Sequence, residues 1–158
     1  MSLTIRPATP EDAPQMCALL NAIIEKGGTT AHRTPFDTNR MIADYVNSPY
    51  AVSCFVADED GAILGFQSLE QKKPTFPLPE RWGLIATFVK MDAHGKGVGA
   101  QLFAATKEAA VEAKLTAIDA TIRLENTGGR AFYSKIGFAD YQTTSETVSK
   151  KYDLTAED

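Results

Sequence analysis

The sequence predicts an α/β domain with a mixed, mostly antiparallel sheet of about seven strands and four helices spread over both faces. Two observations predict this fold class. Apolar residues switch repeatedly between strand-like and helix-like spacing, in the order β-α-α-β-β-β-α-β-α-β-β. A β-α-β crossover lies in the second half of the chain with hairpin-like segments on either side, and this combination is typical of a mixed sheet.

The first part of the chain carries start and stop signals for two helices. After a short alternating strand, Thr9 is a helix cap, and Asp12 completes a capping box three residues later. The Gly27-Gly28 pair ends this helix. After a loop, Asp37 caps a short second helix, which ends before Pro49.

Three strands are predicted in the middle of the chain. The segment AVSCFVADEDGAILGFQSLEQ is typical of a hairpin whose turn lies at Asp58–Gly61. The three prolines of KKPTFPLPE exclude a central strand there and predict a longer loop. The mostly apolar run RWGLIATFVKM follows, and its composition favours a strand in the centre of the sheet.

Helices and strands alternate in the second half. A strong helix, GAQLFAATKEAAVEAK, precedes the strand TAIDATIR, and Gly137 marks the end of the short helix NTGGRAFYSKIG. The segments FADYQTTSE and TVSKKYDL predict the last two strands. No repeat or linker interrupts the chain, so we expect one domain over residues 1–158.

The composition argues against several functional classes. A net charge of −4 disfavours nucleic acid as a partner, because phosphate binding requires a concentrated basic face. No signal-peptide pattern and no apolar stretch of about 18 residues is visible, so we expect a cytoplasmic protein that does not bind membranes. The two cysteines and two histidines are scattered, which predicts core cysteines in a reducing compartment and no metal site.

The segment DAHGKGVGAQL places glycines at 95, 97 and 99 between a predicted strand and a predicted helix. Glycine allows the backbone to approach a ligand closely. The first amides of a helix point outward and its dipole favours negative charge there, while Lys96 adds a cation. We interpret this segment as a phosphate cradle; the alternative is a tight turn without a ligand.

Two common phosphate-binding motifs do not fit this segment. A Walker loop requires four residues between its first glycine and Gly-Lys-Ser/Thr, whereas Gly97 is followed by Val98 and Gly99. A dinucleotide fingerprint fits only if Ala100 replaces its third glycine, and its acidic residue would be Asp119. That residue lies inside a predicted strand instead of at its end, and no second nucleotide-binding half follows.

The segment FVKMDAHGKGVGAQLF resembles the acetyl-CoA-binding segment of the Gcn5-related N-acetyltransferase (GNAT) family, which runs through Q/R-x-x-G-x-G/A into a helix. The segment ENTGGRAFYSKIGF resembles the family's second segment, with Asn126, Tyr133, Gly137 and Phe138 in the same register. The resemblance covers nearly the whole chain. It implies the acyl-CoA N-acyltransferase fold, acetyl-CoA as the cosubstrate and no metal.

The resemblance also implies roles for individual residues. The main-chain amide of Val89 would donate to the oxyanion, where its strand splays from the next. Tyr133 would act as the acid to the CoA thiolate. Complete transfer of a proton from a phenol with a pKa near 10 to a thiolate whose thiol has a pKa near 8.5 costs about 2 kcal/mol. Hydrogen bonding is therefore the larger part of this role. Either helix capping or a contact with the pantetheine suits Asn126. The cofactor-binding set is Phe88, Val89, His94, Gly95, Lys96, Gly97, Val98, Gly99, Ala100, Asn126 and Tyr133.

One position departs from the family pattern. His94 stands where the family usually has Arg or Gln, and there the family uses mainly a backbone amide to bind the pyrophosphate. A histidine keeps this amide but is mostly neutral near pH 7. We therefore expect somewhat weaker cofactor binding. The family also forms dimers through late strands, so Tyr141–Tyr152 is a candidate homodimer segment.

The acceptor is expected to be the amine of a small molecule or amino acid, attacking directly in a ternary complex. An α-amino group near pKa 8 costs about 1.4 kcal/mol to deprotonate at pH 7, whereas a lysine-like amine costs about 4.6 kcal/mol and requires a base. Glu80 is the candidate base, and His32 and Glu70 are candidate substrate residues. Three alternatives stay open: a non-catalytic acyl-CoA sensor, transfer to a peptide or protein amine, and an O-acyltransferase or an enzyme with a different acyl donor.

Overall fold

The computed structural model describes residues 3–155, and within this range seven strands form one sheet. In chain order the strands are β1 (Leu3–Pro7), β2 (Ala51–Glu59), β3 (Ala62–Glu70), β4 (Trp82–Val89), β5 (Ala117–Arg123), β6 (Ala139–Thr143) and β7 (Thr147–Asp153). They lie in the spatial order β1-β2-β3-β4-β5-β7-β6. Only β4 and β5 are parallel neighbours, which confirms the predicted mixed, mostly antiparallel sheet.

Helices cover both faces of this sheet. They are α1 (Ala13–Lys26), α2 (Thr38–Met41), α3 (Val98–Glu112) and α4 (Thr127–Lys135). Phe66 of β3 packs in the core formed with α1 and α2, whereas Leu69 packs in a second core with α3 and α4. Because side chains alternate along a strand, these two cores lie on opposite faces.

Local sequence signals determine where the first two helices form, but the bounds of both helices differ from the predicted ones. The predicted capping box is present, since the Asp12 carboxylate accepts from the Thr9 amide at 2.8 Å and also binds the Arg6 guanidinium. Those residues form a 3₁₀ turn, Pro10–Asp12, so α1 itself begins three residues later than predicted. The second helix continues beyond α2 as one π-helical turn, Ile42–Val46.

The strands β4 and β5 diverge after a short parallel stretch. Their pairing joins Trp82–Leu84 to Ala117–Asp119 only, although both strands continue for several residues. β5 is paired along its whole length with β7 instead. A wedge therefore opens between the second half of β4 and β5, as the family resemblance implied.

The described residues also bear on the cysteines, on metal binding and on membrane insertion. Cys17 and Cys54 are both buried and free, and burial raises the pKa of the Cys54 thiol to about 12. Within residues 3–155 no cluster of three His, Cys, Asp or Glu side chains is arranged to hold a metal ion. None of the described helices has the length and apolar character needed to cross a membrane.

Candidate active site

A cleft of about 520 Å³ opens where β4 and β5 diverge, a volume typical of ligand pockets. The second half of β4 forms its floor, and the glycine segment and α4 form its walls. The loop between α1 and α2 reaches it through Thr29 and Thr30. Ten residues of the predicted cofactor set line it: Phe88, Val89, His94, Gly95, Gly97, Val98, Gly99, Ala100, Asn126 and Tyr133.

The main chain of β4 presents the Val89 amide to the cleft. Lys90 donates its amide to the Leu64 carbonyl at 2.8 Å, which points the Lys90 N–H toward β3. Amides of successive residues in an antiparallel strand point to opposite sides. The Val89 N–H therefore points away from β3, toward the side from which β5 has diverged. An amide fixed in this position is suited to stabilising an oxyanion.

The glycines between β4 and α3 have two different structural reasons. Gly95 and Gly97 have φ angles of +87° and +76°, and a Cβ built on either would meet no atom within 4 Å. Their backbone conformation favours glycine, and the space beside them is open. Gly99 has an ordinary φ, but its Cβ would lie 2.7 Å from Cε1 of Phe132. Gly99 therefore allows α3 to pack closely against α4.

Gly99→Ala is expected to destabilise the fold by about 1–3 kcal/mol, because the Phe132 ring must move to admit the new methyl group. Denaturant unfolding of the wild type and variant measures this loss. Phe132→Leu in the same background should restore part of it, beyond the sum of the two single effects. Simple additivity of the two substitutions would contradict the packing role.

The charged side chains near the glycines are not arranged as the sequence predicted. His94 lines the cleft, with Nε2 3.3 Å from the Val89 carbonyl, but Lys96 is exposed and is absent from the lining. Lys26 of α1 and Lys135 of α4 line the cleft instead. Sequence reasoning did not select these two, because each reads as an ordinary lysine in the last turn of a helix.

Tyr133 is buried, and its hydroxyl lies 2.7 Å from Thr87 Oγ1 on the floor of the cleft. Burial raises the pKa of Tyr133 to about 12, while the hydrogen bond with Thr87 acts in the opposite direction. The phenol is thus protonated across the physiological range. Complete proton transfer to a thiolate whose acid titrates near 8.5 would cost about 5 kcal/mol, which favours hydrogen-bond donation.

Asn126 connects two walls of the cleft. Its Oδ1 accepts from the Gly129 amide at 2.8 Å, which caps α4 as predicted. Its Nδ2 donates to the Thr29 carbonyl at 3.0 Å and so holds the loop between α1 and α2. Capping is therefore shown, the bond to the loop was not foreseen, and the contact with the pantetheine stays a prediction.

Two substitutions of Asn126 separate its contacts. Asn126→Asp keeps an acceptor for Gly129 but has no N–H for Thr29, so we expect the cap to persist and the loop to loosen. Asn126→Ala removes both bonds and should cost about 1 kcal/mol of stability. Amide hydrogen exchange over residues 27–37 measures the loosening. Exchange as slow in Asn126→Asp as in the wild type would show that the loop does not depend on this bond.

The predicted acidic acceptor residues lie outside the cleft lining. Glu80 is exposed in the loop before β4. Glu70 is buried at the end of β3, where it accepts from Ser48 Oγ at 2.6 Å and pairs with Lys73 at 3.2 Å. The Glu70 carboxylate is therefore engaged within the protein.

His32 lies behind the cleft floor on the side covered by α1 and α2. Its Nε2 is 2.8 Å from the Tyr45 hydroxyl, and its ring centroid is 6.2 Å from that of Phe88, which lines the cleft. Burial lowers the pKa of His32, and the nearby charges of Arg40 and Lys73 act in the same direction. Both effects favour the neutral imidazole, and the ring adjoins the cleft through Phe88.

Known proteins share both the sequence pattern and this architecture. The model of the acetyltransferase (GNAT) family matches residues 18–138. The L-methionine sulfoximine/L-methionine sulfone acetyltransferase of Pseudomonas paraeruginosa is 31% identical over 144 residues, which covers 87% of this chain and 81% of that protein.

Two solved structures have the same fold at low sequence identity. An N-acetyltransferase from Staphylococcus aureus Mu50 has a TM-score of 0.84 at 22% identity and covers 98% of this chain and 99% of its own. A phosphinothricin acetyltransferase from Sinorhizobium meliloti in complex with acetyl-CoA has a TM-score of 0.81 at 18% identity, and the match covers 98% of this chain and 89% of that chain. With the family match and the curated relative, these findings confirm the resemblance: the chain belongs to the acetyltransferase (GNAT) family.

Proposed function

We propose that this acetyltransferase transfers the acetyl group of acetyl-CoA to the amine of a small molecule or amino acid, by direct attack in a ternary complex. The observation that carries the proposal is the cleft at the divergence of β4 and β5, where the Val89 amide, the glycine segment and the Tyr133 hydroxyl meet. The acceptor class rests on the curated relative, whose substrates are methionine derivatives.

The glycine segment and the rim lysines suit the phosphates of acetyl-CoA. The N-terminus of α3 offers outward amides, and the open space beside Gly95 and Gly97 admits an anion close to the backbone. Lys26 and Lys135 supply positive charge at the rim of the cleft. His94 contributes its backbone amide and leaves cofactor binding somewhat weaker than an arginine would.

The acyl transfer itself uses the two substrates and two groups of the cleft, one on β4 and one on α4. The neutral amine attacks the thioester carbonyl carbon, a C–N bond forms and the C–S bond breaks with its electron pair on sulfur. The Val89 amide donates to the developing oxyanion, and Tyr133 donates to the departing sulfur. Nitrogen loses one proton and sulfur gains one, so the balance is complete.

Deprotonation of the acceptor sets the need for a base. Deprotonating an α-amino group costs about 1.4 kcal/mol at pH 7, so an acceptor of this kind depends least on a base. For more basic amines the candidates are Glu80, Glu70 and His32. His32 is the best placed of the three, because it is neutral and adjoins Phe88 on the side of β4 opposite Tyr133.

A screen of amines with acetyl-CoA, reading the release of free thiol, tests the function. Amino acids, including L-methionine sulfoximine, are expected to give turnover above that of polyamines and peptides. The variant Gly97→Val, which is expected to bind CoA only weakly, provides the matched blank. Tight CoA binding by calorimetry without thiol release for any amine would instead indicate the sensor function, and peptides as the best acceptors would overturn the small-molecule class.

A further inference from the structure

A chain of three side chains extends from the cleft into the sheet. Tyr133 Oη lies 2.7 Å from Thr87 Oγ1, and Gln67 Nε2 donates to the same Thr87 oxygen at 3.0 Å. Gln67 and Thr87 are direct cross-strand partners in β3 and β4, which fixes the distance between their side chains. Gln67 is fully buried, whereas Thr87 and Tyr133 line the cleft.

The chemistry of the threonine hydroxyl gives this chain a direction. The hydroxyl has one proton and two lone pairs, and the amide of Gln67 occupies one lone pair. When Thr87 donates its proton to the phenol oxygen, the proton of Tyr133 is left to point into the cleft. Every donor then points the same way, from amide to threonine to phenol, and each bond polarises the next.

Building on the proposed function of Tyr133 in acetyl transfer, we propose that Gln67 and Thr87 are positioning residues that direct the phenol proton toward the sulfur of the acyl donor. They also support the negative charge that builds on the phenol oxygen as this proton is shared. The electron pair on sulfur comes from the broken C–S bond. The sulfur receives its proton from solvent, which takes up the one that the acceptor nitrogen releases, and the phenol keeps its own.

The carbonyl oxygen of the Gln67 side chain makes it possible to distinguish a functional role of this residue from a structural one. Its Oε1 is buried and has no hydrogen-bond partner among residues 3–155. A buried acceptor without a partner lowers stability, so an apolar side chain of similar length should be tolerated or preferred there. Gln67→Met is therefore expected to keep or raise the melting temperature while it slows turnover.

Four variants test the chain by turnover. Thr87→Val removes both hydrogen bonds at nearly constant shape and should lower kcat about tenfold while the KM for acetyl-CoA stays within about twofold. Thr87→Ser keeps the hydroxyl and should restore the wild-type rate. Gln67→Met should give a smaller loss than Thr87→Val. Thr106→Val is the control, because Thr106 of α3 is another fully buried threonine and lies outside the cleft lining, so this substitution should leave kcat unchanged.

A spectroscopic measurement tests the chain without turnover. Replacing Tyr133 by 3-fluorotyrosine, a more acidic phenol, allows its ionisation to be followed by ¹⁹F NMR. Loss of the donor in Thr87→Val is expected to raise the pKa of this phenol, Gln67→Met should raise it less, and Thr87→Ser should leave it unchanged. A hydroxyl that only fills space would move none of these values.

The outcomes distinguish this proposal from the proposed function. If Tyr133→Phe is slow but Thr87→Val keeps the wild-type kcat and the wild-type phenol pKa, the positioning role is overturned and the function stands. If Tyr133→Phe keeps the full kcat while the pKa of the phenol still rises in Thr87→Val, the role of Tyr133 in acetyl transfer fails. In that case the chain also has no part in turnover.

Discussion

Replacing Tyr133 by phenylalanine is expected to lower kcat about 100-fold while the affinity for CoA stays close to that of the wild type. The departing sulfur would lose the hydroxyl of Tyr133 as a donor, and general acids contribute at least this much in other enzymes. Binding should survive, because the ring keeps its packing against Phe132 and Phe138. Steady-state assays of thiol release measure kcat, and calorimetry measures the affinity for CoA.

The pH dependence of this loss follows from the burial of the phenol. Burial raises the pKa of Tyr133 to about 12, so the hydroxyl stays protonated from pH 6 to about pH 10. The ratio of wild-type to variant kcat should therefore be constant over this range. A ratio that falls toward one as the pH rises to 9 would indicate that the phenol ionises early and would contradict its role as a donor.

Tyr50→Phe is the matched control for this substitution. Tyr50 lies in the turn before β2, outside the cleft lining, and the change removes the same hydroxyl from the chain. Its kcat and CoA affinity should equal those of the wild type. An equal loss in both variants would mean that the effect of Tyr133→Phe is not specific to the cleft.

Local signals explain why the order of elements was predictable. The capping box at Thr9 and the glycines after α1 act within a few residues, and the structure shows the capping box at the 3₁₀ turn that leads into α1 and Gly27 at the end of the helix. The glycine segment and the Asn126–Tyr133 register are also short patterns, and each lies within one helix and the few residues before it. Sequence reasoning recovers such features because their causes are neighbours in the chain.

The features that were missed depend on contacts between distant parts of the chain. The bond from Asn126 to Thr29 joins residues 97 positions apart, and no local pattern indicates it. The close approach of Gly99 to Phe132 depends on how α3 packs against α4. Thr87 had a usable signal, since it lies two residues before Val89 and therefore on the same face of β4.

The expected acceptor residues show the same limit. The sequence shows Glu70 only as a charged residue at the end of a predicted strand, whereas the structure buries it at the end of β3 beside Ser48 and Lys73. The sequence places His32 in a loop and predicts no regular structure around it. Its position against Phe88 depends on the packing of three aromatic rings around it, a tertiary effect that no sequence window contains.

Gly97→Val is expected to weaken CoA binding by about 100-fold or more, because the branched side chain would fill the open space beside the N-terminus of α3. That space meets no protein atom within 4 Å, so the protein itself does not exclude the side chain. A phosphate held by the first amides of α3 would be displaced, and each charge-assisted hydrogen bond lost costs about 1.5–3 kcal/mol.

The same substitution also strains the backbone, and this effect needs its own control. Gly97 has a φ of +76°, a conformation that costs a branched L-residue about 1–3 kcal/mol. Gly61, in the turn between β2 and β3, has a φ of +94° and equally open surroundings, and it lies outside the cleft lining. Gly61→Val should therefore lose similar stability in a thermal melt and bind CoA like the wild type.

A comparison of two ligands locates the effect on the phosphates. The wild type should bind CoA more tightly than pantetheine, which lacks the nucleotide and its pyrophosphate, and Gly97→Val should lose most of this difference. Calorimetric titration of both ligands measures it in the wild type and in both variants. A folded Gly97→Val protein that keeps the preference for CoA would rule out the glycine segment as the phosphate site. Loss of the preference in Gly97→Val alone would place the pyrophosphate at the N-terminus of α3, because the backbone strain is common to both variants.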